Sequence, residues 1–200
     1  MAQRALFEST EIVLVDDTSG RIVYVPEFVA SSTAQAWFVE LRETVGWEAK
    51  RRWMYDREVD VPRLTAHYAL PPDAAAPRAI GESAERVIAA TGVAFNGVGL
   101  NLYRDGRDSV APHNDHLYEI VEGFPIVLLS LGATRRMNIR AKGRGARAMN
   151  VDLEDGSLLA MSYETQLNYT HGVPKTKAAV AERISLAFRV RPAAKGTSRY

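Results

Sequence analysis

The sequence predicts a mainly β fold with flanking helices, an α+β arrangement in which helices pack outside a sandwich or barrel. Three observations predict it. From Asn96 onward, short aliphatic and β-branched runs recur at near-regular spacing. Gly/Asp clusters such as Arg104-Asp105-Gly106 and Glu154-Asp155-Gly156 punctuate them. Helical periodicity is confined to the first half of the chain.

In chain order, Ile12 to Val15 and Arg21 to Val25 read as a hairpin, with Asp16 to Gly20 as a loop longer than the two-residue ideal. Ser31 and Ser32 offer an N-cap. Ala34, Trp37, Phe38, Leu41 and Val45 then follow at helical spacing, and Gly46 can close the helix in the left-handed conformation. The stretch from Trp47 to Tyr68 is polar, basic and aromatic without a clean period, and reads as a loop-rich surface segment with a few short strands. A second helix is expected from Pro77 to Thr91, with Ile80, Ala84, Val87 and Ile88 on one face and Gly92 as its stop. Strands are expected at Gly97 to Tyr103, Ile126 to Leu131, Met137 to Arg140, Ala148 to Leu153, Ser157 to Met161 and Arg183 to Val190.

A chain of 200 residues is the size of one domain. With 46% hydrophobic and 24% charged residues it can bury a core, which excludes disordered and collagen-like classes. A formal charge of +1 leaves no global field for nucleic acid, so any such contact needs a local basic patch. The absence of cysteine excludes disulfide scaffolds, zinc–thiolate sites and thiol catalysis. Met1 to Thr10 lacks the continuous apolar segment of a signal peptide, and no run approaches the roughly 18–20 apolar residues of a membrane span. A cytoplasmic monomer with no membrane contact is expected.

Side-chain alternation gives the first chemical signal. In the last strand, Ile184, Leu186, Phe188 and Val190 share one face, while Arg183, Ser185, Ala187 and Arg189 share the other. Two readings stand for this strand alone. The arginines are solvated on an exposed face, or they point inward and need anionic partners, because a buried unpaired charge is costly. A dicarboxylate would fit the second reading, since the guanidinium fork matches carboxylate geometry. The second signal is His113-Asn114-Asp115. In an extended segment its imidazole and carboxylate lie on one side, and His171 would complete a two-histidine, one-carboxylate set that leaves positions open on an iron(II) ion. His116 points off that face and is left out. Each piece alone also fits a bland reading, a hydrogen-bonded histidine or a turn residue before Gly172.

The ordered set is specific. Phe95-Asn96, Asn101-Leu102-Tyr103-Arg104-Asp105-Gly106, His113-Asn114-Asp115, Pro125-Ile126, Ser130-Leu131-Gly132-Ala133, Gly156-Ser157-Leu158-Leu159, His171-Gly172-Val173-Pro174-Lys175 and Arg183 to Arg189 together resemble the AlkB family of Fe(II)/2-oxoglutarate dioxygenases. Upstream, Val61-Pro62-Arg63-Leu64-Thr65-Ala66 resembles the stretch before the catalytic core in the family's nucleic-acid-repair branch, so the resemblance runs from about Trp47 to Arg191. It implies a double-stranded β-helix (jelly-roll) in a single domain, 1–200. Residues 1–92 would form an extension with helices and a substrate lid, and 93–191 the catalytic core. It implies Fe(II) on His113, Asp115 and His171, with 2-oxoglutarate and O2 as co-substrates. Arg183 and Arg189 would hold the 2-oxoglutarate carboxylates, and Asn101 and Tyr103 would add hydrogen bonds.

The implied reaction is oxidative demethylation of N-alkylated bases in single- or double-stranded DNA or RNA, releasing formaldehyde, succinate and CO2. Trp53, Tyr55 and Tyr68 would stack on a flipped base in the lid, with Arg63 beside them. The basic stretch Arg135, Arg136, Arg140, Lys142, Arg144 and Arg147 would either touch phosphates or form a solvated hairpin. His116-Leu117 stand where the repair branch commonly carries acidic residues, and Ser185 and Ala187 where it carries Asn and Thr. The same chemistry on a protein side chain or small molecule, or a non-catalytic metal-binding module, are the alternative functions.

Overall fold

The computed structural model describes residues 11–54, 56–143 and 147–193, with only the backbone of 52–54, 57 and 59. Two antiparallel sheets face each other, the jelly-roll expected from the sequence. The larger holds eight strands in the order β1-β2-β10-β7-β12-β5-β4-β3, and the smaller four in the order β6-β11-β8-β9.

Their ranges are β1 Ile12–Asp17, β2 Gly20–Val25, β3 Glu48–Met54, β4 Arg57–Ala69, β5 Gly97–Tyr103, β6 Val110–His113, β7 Ile126–Gly132, β8 Arg135–Ala141, β9 Ala148–Leu153, β10 Leu158–Met161, β11 Tyr169–Val173 and β12 Arg183–Arg189. Three helices accompany them: α1 Ser31–Thr44, α2 Arg78–Thr91 and α3 Tyr163–Asn168.

Alternation along the strands divides the apolar residues into two cores. Val98, Leu100 and Leu102 of β5, with Ile184, Leu186 and Phe188 of β12, face α1 and α2, where they meet Trp37, Leu41, Ile80 and Val87. Burying each such side chain contributes roughly 1.5–3 kcal/mol. The Trp37 indole N–H donates to Glu82 Oε2 at 2.8 Å and ties the two helices together. The opposite face of the large sheet meets the small one through Ile22, Tyr24, Leu128 and Leu159 against Met137, Ile139, Val151 and Tyr169. The interior between the sheets holds the polar residues of β12 and β5.

Several expectations need correction. The first hairpin is tight, because β1 runs on to Asp17, which pairs with Gly20, leaving only Thr18 and Ser19 in the turn. Helix α1 is capped by Ala30 and ends at Val45 in extended conformation, so Gly46 is not its left-handed stop. Gly92 does fill that role for α2, with φ of 69°.

The stretch from Trp47 to Tyr68 is no loop-rich segment but the long β3–β4 hairpin at the sheet edge. Cross-strand pairs of Arg51 with Asp60 and Glu58, both at 2.9 Å, let a charged sequence form a strand there. The chain before residue 93 also supplies four strands of the large sheet, and β4 pairs directly with β5.

Candidate metal and co-substrate site

β6 and β11 are short, but they pair antiparallel with His113 directly opposite His171. That register brings two residues from distant parts of the chain to one point. The two imidazole rings lie 4.6 Å apart between centroids. Asp115, two residues beyond His113, turns its carboxylate to the same point, with Oδ1 3.9 Å from His113 Nε2. One ligand atom from each of His113, Asp115 and His171 lies within 4.8 Å of the others, the spacing a single ion requires. His116 is outside this group and stacks on Tyr118 instead.

The close approach of β6 and β11 depends on Gly172. A Cβ at that position would lie 2.8 Å from the Val110 carbonyl oxygen and 2.9 Å from the Pro112 nitrogen.

His113 and Asp115 are held from behind. His113 Nδ1 lies 2.9 Å from the Ala111 carbonyl oxygen. Donating there fixes the tautomer and leaves Nε2 with a free lone pair. The Asp115 backbone N–H donates to Gln166 Oε1 at 3.0 Å, and Arg189 Nε donates to Asp115 Oδ2 at 2.5 Å. Burial alone would raise the Asp115 carboxyl, but the Arg189 charge and hydrogen bond, with His171 and His113, hold it below the usual carboxylate range. His171 is only 6% exposed. Burial, reinforced by His113, lowers its imidazole to about 4, so it stays neutral and able to ligate across the physiological range.

Deeper in the barrel, Arg183 is 1% exposed. Its Nη2 donates to Ser130 Oγ at 2.8 Å, while Nε and Nη1 are buried with no partner. Burial pushes its pKa down, yet arginine stays protonated in proteins, so this is a buried cation with two donors waiting for an acceptor. Its guanidinium carbon sits 5.2 Å from the centre of the Tyr103 ring, and that of Arg135 lies 5.6 Å from the same ring. Thr65 Oγ1 is a third unpartnered buried atom, on β4 opposite Asn101. Asn101 Oδ1 accepts from Arg63 Nε at 2.7 Å.

Arg183 thus offers an unsatisfied fork suited to a carboxylate, more deeply buried than Arg189 and the His113–Asp115–His171 cluster.

The structure relocates several residues singled out from sequence. Arg63 is a brace for Asn101 and for the Ser109 carbonyl at 3.3 Å, rather than a free lid residue. Tyr68 packs on the helix-side core, because the pleat turns it away from the metal and gives the inner face to His67. Tyr55 and the side chain of Trp53 lie outside the described residues.

Arg135 is not part of a phosphate-binding hairpin. It is buried and donates to the carbonyls of Asp105, Asp108 and Pro174 at 2.8–3.0 Å. Arg136 is paired with Asp152, Lys142 donates to the Gln166 carbonyl, and Arg144 lies outside the described residues. Sequence reasoning gave no role to Ser130 and did not single out Gln166. A serine inside an apolar strand was a usable signal for the first, and nothing marked the second.

A family model described as the 2OG-Fe(II) oxygenase superfamily matches residues 21–189. The chain belongs to this superfamily. Within the superfamily it falls in the AlkB family. It is 30% identical to alpha-ketoglutarate-dependent dioxygenase alkB homolog 3 of Bos taurus, over 90% of this chain and 69% of that one. It is also 35% identical to the DNA oxidative demethylase ALKBH2 of Bos taurus, over 57% of this chain and 44% of that protein. The superfamily member described here thus spans less than half the length of the ALKBH2 relatives. The solved structure of OsALKBH1 superposes with a TM-score of 0.64 at 15% identity, covering 90% of this chain and 100% of that one, which shows a shared fold. Members of the superfamily use Fe(II), 2-oxoglutarate and O2, and the donor set of two histidines and one carboxylate suits that ion.

Proposed function

We propose that this chain is an Fe(II)- and 2-oxoglutarate-dependent dioxygenase that oxidatively demethylates N-alkylated bases in DNA or RNA. The observation that carries the chemistry is a three-ligand cluster next to a buried arginine with two unmet donors. The names of the ALKBH2 and alkB homolog 3 relatives support the substrate class. When bound, iron, 2-oxoglutarate and O2 supply the oxidation, which yields succinate and CO2 and hydroxylates the N-alkyl carbon, so that the resulting hemiaminal releases formaldehyde.

The chain's own residues do the rest. His113, Asp115 and His171 would hold the ion. Arg183 anchors the remote carboxylate of 2-oxoglutarate, with Tyr103 beneath it and Asn101 donating from the side. Arg189 keeps Asp115 ionised and oriented. The β3–β4 hairpin covers a base flipped toward the metal. Among the described residues no helix is long and apolar enough to cross a membrane.

The test is formaldehyde and succinate release with iron(II), ascorbate and 2-oxoglutarate, with and without a methylated single-stranded oligonucleotide. Formaldehyde that requires the methylated strand is the expected result. Succinate formed without formaldehyde, whatever the oligonucleotide, would keep the oxygenase and reject the nucleic-acid substrate.

A further inference from the structure

Two glycines, Gly97 and Gly99, lie on the inner face of β5, where side chains would ordinarily project. Glycine weakens a strand and marks a place where another group comes close. At Gly99 that group is Arg189, whose Nη1 lies 3.6 Å from where a Cβ would stand. At Gly97 it is a second arginine. His67 Nε2 lies 3.3 Å, and Arg191 Cδ and Nε 3.5 and 3.6 Å, from the corresponding point. Arg191 follows two residues after the arginine that holds Asp115, about 6–7 Å further along an extended chain. Its backbone is fixed by Asn96, whose Oδ1 accepts from Arg191 N–H at 2.7 Å and whose Nδ2 donates to the Arg191 carbonyl at 2.8 Å.

The Arg191 side chain is nevertheless only loosely held. Among the described residues its guanidinium makes no hydrogen bond. Nε is buried without a partner, and Nη1 has only the Glu119 carboxylate at 3.7 Å, a loose pair between two partly exposed groups. The charges that act on His67 are cationic, although Glu119 and Glu48 lie beside two of them. Desolvation and then the charges of Arg191, Arg189 and Lys50 hold the His67 imidazole below its ordinary range. Lys50 is half-exposed, with Glu48 4.0 Å away. A well-placed arginine fork, a neutral imidazole and an exposed lysine beside the metal mouth form an anion site of the phosphate type.

We propose that Arg191, His67 and Lys50 form a phosphodiester-binding rim that holds the nucleic-acid backbone next to the nucleotide presented to the metal. The inference rests on the nucleic-acid reading above and adds the point at which the strand is gripped. The incoming phosphate replaces Glu119 at Arg191, so the carboxylate acts as its competitor. That gives two substitutions of opposite sign.

The measurement is fluorescence anisotropy of a labelled, unmodified single-stranded oligonucleotide against salt, using the metal- and 2-oxoglutarate-loaded protein. Arg191→Ala weakens binding about 5–10-fold near physiological salt and makes the log–log salt dependence shallower by about one unit. Glu119→Gln tightens binding about twofold, an effect that loss of a merely structural contact does not produce. Should both variants bind as the parent does while the parent binds and demethylates the methylated strand, the rim is wrong and the function stands. Should the parent neither bind nor demethylate any strand, both fall together.

Discussion

Replacing Arg183 with methionine separates a co-substrate anchor from a structural arginine, because the two roles give opposite signs. Methionine keeps a long side chain but removes the charge and the fork. Two donors, Nε and Nη1, are buried and unmet. If each makes a charge-assisted bond to a 2-oxoglutarate carboxylate worth about 1.5–3 kcal/mol, their loss costs about 3–6 kcal/mol of binding. That corresponds to a roughly 10²- to 10⁴-fold weaker affinity. In the unliganded protein the same change removes a buried cation with no counter-charge in contact. Replacing such a charge by an apolar side chain of similar size is neutral or stabilising by roughly 1–4 kcal/mol. Calorimetric titration of 2-oxoglutarate into Mn(II)-loaded protein reads the first effect, and urea unfolding without ligand reads the second. Unchanged affinity together with a large loss of stability would refute the reasoning and return Arg183 to a purely structural role.

Arg135→Ala should behave in the opposite way, losing about 3–5 kcal/mol in urea unfolding, because three backbone carbonyls then lose their buried donor; a change within 1 kcal/mol would contradict it. His113→Ala and Asp115→Ala should abolish iron-dependent succinate formation with little change in far-UV circular dichroism, and full turnover in either would remove it from the ligand set. Metal-free protein should be most stable above pH 6.5 and lose stability as the pH falls toward 4. In that window unfolded His171 takes up a proton that the folded protein refuses until about 4, an effect of up to about 3 kcal/mol. Chelator-treated samples unfolded in urea at several pH values check this, and a flat profile would disprove it.

The sequence carried the parts of this site that obey a period. β5 and β9 fall on the expected residues and β12 ends within one of them, because each alternates or runs apolar between clear turn residues. The inward face of β12, left open between two readings from the sequence, is the buried one at Arg183. β6 and β11 were not legible. They are four and five residues long, and Pro112 and Gly172 disguise them as turns, yet they carry two of the three ligands. The β3–β4 hairpin was hidden by its charge, since cross-strand ion pairs do not appear as a hydrophobic pattern. Arg135 was misread for the same reason in reverse. A basic cluster looks like surface, and only the tertiary structure reveals three loop carbonyls converging on one member of it. Gln166 sits on α3, a helix of six residues, too short to leave a periodic trace.

Gly172 fixes how far apart His113 and His171, opposite each other on β6 and β11, can lie. The atoms a methyl group would strike there, the Val110 carbonyl oxygen, the Pro112 nitrogen and the Ala111 carbonyl carbon at 2.8–3.1 Å, all belong to the backbone, so none can rotate away. The strands would have to part instead. Coordination bonds tolerate changes of only about 0.2 Å. One methyl group therefore uses up the coordination tolerance of the site, while the sheet itself can absorb the strain by bending. The identity of this residue is then set by the inorganic chemistry across the strand pair rather than by folding, and an alanine there would yield a protein that keeps its shape and loses its ion.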